Sequence, residues 1–255
     1  MILARRILPF FAPLVFALVF VGLLTSVHLL WWWVAMLCLS ACICSAFLLQ
    51  WKIFTARFFW ITMPLLVLLL TSAGVMVMVP SASIRIAYAC VAVVMAGVYI
   101  EDVFILFFQA HKYTQLSLPQ FCIFLNVWSA YGLGLVMFTV LLLHLAPLWV
   151  LLLSAGVFGL YIGGHVLWSF ALWKKTLWVI PLISVALVVE CTWVLTLLPF
   201  SFIVSAFLLC ILVYILLTFI QLIYRNAFTF DTVMRPTVIA LVGSIAILLT
   251  TRWFY

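Results

Sequence analysis

The chain has 255 residues, 71% of them hydrophobic, against 11 Lys and Arg and only 4 Asp and Glu. Ordinary soluble domains are about 25% charged, so a content of 6% excludes a soluble globular domain and names the lipid bilayer as the surrounding medium. The net charge of +7 comes from basic residues scattered singly or in pairs, which form no stripe for nucleic acid.

A bilayer-spanning helix consumes about 20 mostly apolar residues. In chain order the apolar runs predict helices over 7–27, 30–49, 59–79, 84–108, 121–144, 147–171, 177–198, 200–223 and 236–251. The fold class is therefore all-α: one transmembrane domain over 1–255, a polytopic bundle of about nine helices. Arg5 and Arg6 precede the first run as they would in a signal peptide. No small-residue cleavage site follows, however, and Trp31 to Trp33 lead straight into the next run, so the reading is an uncleaved first helix. The break between the first two helices rests on Thr25, Ser26 and His28. Pro9, Pro64, Pro80, Pro119, Pro147, Pro181, Pro199 and Pro236 are expected near helix starts, where the missing N–H would have had no partner; Pro13 lies deeper.

The basic residues set the direction. With the N-terminus cytoplasmic, Arg5, Arg6, Lys52, Arg57, Lys112, Lys174, Lys175, Arg225 and Arg235 fall on the inner side, and only Arg85 and Arg252 fall outside, with the C-terminus. Trp31 to Trp33, Trp51, Trp60, Trp149, Trp173, Trp178 and Trp253 sit near span ends, as an interfacial aromatic belt requires. Cell membrane is the expected location, and lipid the first partner.

Landmarks recur about 117 residues apart: His28 and His144, Trp33 and Trp149, Arg57 and Lys174, Pro64 and Pro181, Pro119 and Pro236. A shift of four helices preserves orientation, so one reading is a parallel repeat of 7–108 and 121–223 with 236–251 appended. The other is that helices of similar length bring their punctuation into register without common origin. The seven cysteines lie in apolar stretches and suggest neither a disulfide framework nor a metal site. Cys42 and Cys44 point about 200° apart on a helix. No metal and no cofactor are expected.

Ionisable residues inside a span are costly and are functional candidates by default. Glu190 falls near the midplane of its helix, roughly 12 Å below the outer surface at 1.5 Å per residue, with Ala186 and Trp193 on its face. That depth suits a proton or cation site; the structural alternative is a carboxyl bonded to a neighbouring helix. Glu101 and Asp102 lie about 10 Å deep on the cytoplasmic side, unless their helix ends near Ile100 and leaves 101–113 along the interface. Asn126 and His165 share that depth, and the four residues together make a candidate polar cluster, with Lys112 or Arg57 to pair the acids. Ala155, Gly159 and Gly163 form a small-residue packing face, and His165 points about 200° from Gly163.

No H-E-x-x-H, G-x-S-x-G or Walker motif occurs, and no paired Asp-rich motifs for Mg²⁺. Three functions follow. The favoured one is a small transporter or permease-like protein with Glu190 as its mid-membrane carboxylate, moving an ion or small molecule. The second is an enzyme on a lipid-linked substrate at the cytoplasmic face, using Glu101 or Asp102 with Asn126 and His165. The third is a non-catalytic subunit of a membrane protein complex. The balance leans away from an enzyme.

Overall fold

The computed structural model describes residues 2–51, 55–109, 117–169, 179–225 and 230–250. Among them the chain is all helical: α1 (Ile2–Thr25), α2 (Leu30–Leu48), α3 (Ala56–Met78), α4 (Ala82–Phe108), α5 (Ser117–Leu142), α6 (Leu148–Ser169), α7 (Val179–Leu197), α8 (Phe202–Arg225) and α9 (Phe230–Thr250). Eight of these are long and apolar enough to cross a membrane. In α9 the described apolar stretch is Thr232–Ile247, with Arg235 and Pro236 inside it. Each helix falls on one of the expected apolar runs. In lipid a helix is the conformation that satisfies every backbone group within its own segment. Of the basic residues that set the expected direction, Lys52, Lys112, Lys174, Lys175 and Arg252 lie outside the described residues.

The helix ends have local causes. After α1 the hydroxyl of Ser26 donates to the Gly22 carbonyl at 2.8 Å and that of Thr25 to the same carbonyl at 3.0 Å, covering an oxygen the helix end would leave open. The indole N–H of Trp33 then donates to Ser26 Oγ at 2.9 Å, and its ring lies where a side chain on Gly22 would have to go. The weak break at Thr25 and Ser26 is thus a clamped corner. Between α5 and α6, Leu145 N–H bonds to Val140 O and His144 N–H to Leu141 O, both at 3.0 Å, with His144 at φ 51°. This is the Schellman stop, with histidine where glycine is usual. Several prolines lie deeper than expected: Pro9, Pro64 and Pro236 are inside helices because α1, α3 and α9 begin earlier than the apolar runs do.

The helices fall into two compact units, Met1–Leu125 and Asn126–Tyr255. In the first, α1 packs on α2 and α4, α2 on α3, and α3 on α4. Pro13 explains the α1–α4 approach. A Cβ added to Gly97 would stand 2.7 Å from its ring, so the bare Gly97 backbone receives the proline. Tyr99, buried, donates its hydroxyl across to the Ile61 carbonyl at 2.8 Å and ties α4 to α3. Near the other end, Arg85 Nη1 lies 3.4 Å from the Met76 carbonyl, a cation at the negative end of the α3 dipole.

In the second unit α6 packs closely along α7, and α8 touches α7 and α9. A Cβ on Gly159 would stand 2.9 Å from Val185 Cα, and one on Gly163 2.5 Å from Pro181 Cα. The expected small-residue face of α6 is therefore the bed of α7. Gly134 of α5 meets Ala206 of α8 in the same manner, at 2.9 Å from its Cα. Without a hydrophobic drive between helices in lipid, such close van der Waals approach is what holds them.

Candidate functional site

Hydroxyls at membrane depth are largely satisfied within their own helices. Ser72, Ser184 and Thr192 donate to the carbonyls of Leu68, Ile180 and Val188 at 2.6, 2.9 and 2.7 Å. Each uses the carbonyl one turn back, so these residues need no partner from outside. Asn126, His165, Glu101, Asp102 and Glu190 require a different account.

Asn126 and His165 meet. The Asn126 amide donates through Nδ2 to His165 Nδ1 at 3.1 Å, and its Oδ1 accepts from the Tyr161 hydroxyl at 2.9 Å. Asn126 and His165 are both buried. The rings of Tyr161 and His165 stack at 5.7 Å and 19°, and His165 lies at 6.2 Å and 26° from Trp168. Because Gly159 and Gly163 turn one side of α6 to α7, the side carrying Tyr161 and His165 faces α5. The rotation between His165 and Gly163 read from the sequence thus has its purpose here. Tyr161 is the member the sequence reading missed. It sits one turn before His165, and i, i+4 polar spacing on one helix was the available signal. Asn126, bonded to both Tyr161 and His165, thus ties α5 to α6.

The acids Glu101 and Asp102 belong to the first unit, Asn126 and His165 to the second. α4 continues as helix to Phe108, which removes the alternative of a helix ending near Ile100. Glu101 is exposed and Asp102 half-buried. Glu101 borders a cleft of about 280 Å³ between α1 and α4, with Arg6, Phe104 and Gln109 on its walls. Arg57, a residue expected to pair these acids, instead lines a cleft of about 450 Å³ with Gln50, Thr55 and Phe107. The other, Lys112, lies outside the described residues.

Glu190 is exposed on α7. The buried side of that helix is Pro181, Ser184, Val188, Thr192 and Leu195. Its exposed side is Val179, Leu182, Ile183, Ala186, Leu187, Glu190, Trp193, Val194 and Leu197, apolar throughout except for the one acid. α7 is the least buried of the eight spans. The second unit also has a cleft of about 840 Å³ at the His144 end, lined by Phe138, His144, Leu195, Thr196, Pro199 and Ser201 among others. Leu195 and Thr196 reach it from α7; Glu190 is not among its walls.

The seven cysteines are free. Among the described residues no three His, Cys, Asp or Glu side chains are grouped to hold a metal ion. No known family model, curated protein or solved structure matches the chain, so its role is argued from geometry. The established statement is a multi-pass helical membrane protein.

Proposed function

We propose that the chain is a non-catalytic subunit of a larger assembly in the cell membrane, its N-terminus cytoplasmic, and that the exposed face of α7 is where the assembly holds it. The observation that carries this reading is Glu190, an exposed carboxyl halfway along an otherwise apolar span face. An acidic side chain at the centre of a membrane helix costs about 2.5–3.5 kcal/mol on insertion scales. Asn126 and His165 reduce the cost of their own burial by bonding each other, and Asn126 also accepts from Tyr161. Glu190 has lipid or a neighbouring protein to turn to, and a protein neighbour with a hydrogen-bonding group is the cheaper of the two. The ring order of helices in each unit, with the first of four touching the second and fourth, supports the parallel repeat as the frame on which α7 is displayed.

The test is the protein mass of the particle extracted from membranes in lipid nanodiscs. The reading expects a protein mass well above the 28.9 kDa of one chain, falling to one chain in Glu190→Leu. A wild-type particle holding a single chain and nothing else refutes it.

A second reading, a small transporter or permease-like protein, has the same carboxyl carry a proton or cation at that face. Its depth in the span favours this. Here Glu190→Gln abolishes ion-coupled uptake into proteoliposomes while the particle keeps its mass; unchanged flux removes it.

A further inference from the structure

Val179, Ile183, Ala186, Glu190, Trp193 and Leu197 recur at alternating steps of four and three along α7, and all six are exposed. This is the heptad seam by which two helices supercoil in contact, knobs of one entering holes of the other. Leu182, Leu187 and Val194, also exposed, flank it on both sides. The seam has one polar position, Glu190, with a small residue, Ala186, one turn before it. A single polar residue in an apolar seam fixes register and the number of strands, and a small one lets the backbones close.

We infer that the neighbour of α7 is α7 of a second copy of this chain, in a parallel two-fold pair with Glu190 facing Glu190. This rests on the assembly reading above and names its partner. Three features favour a second copy over an unrelated helix. Copies of one chain insert in the same direction, so their α7 helices run parallel. A two-fold axis then sets each seam residue opposite its own counterpart, and the two carboxyls meet without any adjustment of register. Finally, the carboxyl group is self-complementary. Two that hold a proton between them donate through O–H and accept at the other's oxygen, so no basic residue is required of the partner. The Trp193 indole N–H, one turn along the same face, supplies a further donor to the facing carboxyl. Ala186 at the closest approach keeps the distance short enough for that bond.

The experiment co-expresses two differently tagged full-length copies, each carrying one added cysteine, and oxidises the membranes. Ile183→Cys and Leu197→Cys should give disulfide-linked pairs carrying both tags, at least about fivefold above the unsubstituted chain. Leu153→Cys, exposed on α6, serves as the off-seam control and should stay at background. Adding Glu190→Leu should lower the linked fraction about tenfold, and Glu190→Gln, which still donates and accepts, should keep it. Ala186→Leu leaves the acid in place but holds the helices apart, and should lower linkage even if Glu190→Leu folds poorly. Equal linkage from Leu153→Cys, or linkage indifferent to both Glu190→Leu and Ala186→Leu, overturns the inference. Absence of two-tag linkage in a particle heavier than one chain overturns it while sparing the assembly reading. A particle of one chain overturns both.

Discussion

Replacing Gly163 with alanine adds one methyl group where α6 meets α7. The new Cβ would stand 2.5 Å from Pro181 Cα, 3.1 Å from Pro181 N and 3.0 Å from Ser184 Oγ. Carbon atoms in contact prefer about 3.5–4.0 Å, so roughly 1 Å must be found. Two of the three atoms are backbone, and no rotamer change moves them. α7 itself must shift and loosen its fit on Gly159. Overpacking of this kind costs about 1–3 kcal/mol. The gain in helix propensity from glycine to alanine returns about 0.8–1.0 kcal/mol, leaving a net loss of about 0–2 kcal/mol, centred near 1. Gly156→Ala is the matched control: its Cβ would lie 3.4 Å from Val189 Cγ2 and 3.9 Å from Val185 Cγ1, ordinary contact, so the propensity gain should stand unopposed. Reversible unfolding in mixed micelles should therefore separate the two variants by about 2 kcal/mol, with Gly163→Ala below wild type. Equal stabilities, or Gly163→Ala above Gly156→Ala, would refute the argument that α7 lies directly on the α6 backbone.

Asn126→Leu deprives both Tyr161 and His165 of their bond to this residue, and should cost about twice what Tyr161→Phe costs; hydrogen bonds within membrane proteins average roughly 0.6 kcal/mol and reach about 1.7. The same unfolding assay reads the ratio, and a larger loss from Tyr161→Phe would contradict the central place given to the amide. Tyr99→Phe removes the bond to Ile61 while keeping the ring's packing, so about 0.5–1.5 kcal/mol should be lost with the far-UV circular dichroism of the folded state unchanged. His144→Gly should raise stability by about 1 kcal/mol, since the left-handed conformation that ends α5 strains any side chain; a lower melting temperature would mean that the imidazole contributes something the turn needs.

The spans were legible because apolar runs of membrane length have one structural outcome in lipid, and their ends shifted by only a few residues. α9 begins at Phe230, ahead of its apolar run at 236, so Arg235 and Pro236 lie within the helix. Depth was legible too: Asn126 and His165 were expected at one level and are bonded there. Rotation about each helix axis was not. Sequence places Glu190, Ala186 and Trp193 on one side of α7, but whether that side faces in or out depends on which side α6 claims. Gly159 and Gly163 decide it by accepting Pro181 and Ser184, a fact of two helices together. Tyr161 was not legible because tyrosine is grouped with the hydrophobic residues while its hydroxyl does the bonding.

The glycine bed of α6 also bears on motion. Where two helices meet through side chains, they slide past each other by small rotamer changes, the basis of shear. Where backbone lies on backbone, as Pro181 and Val185 do over Gly163 and Gly159, few rotamers stand between to absorb a displacement. α6 and α7 are thus expected to travel as one stiff rod pair. Any rearrangement of the second unit must then be taken up elsewhere, at the joints that α5 and α8 make with this pair, and a force applied at Glu190 would be delivered undamped to His165.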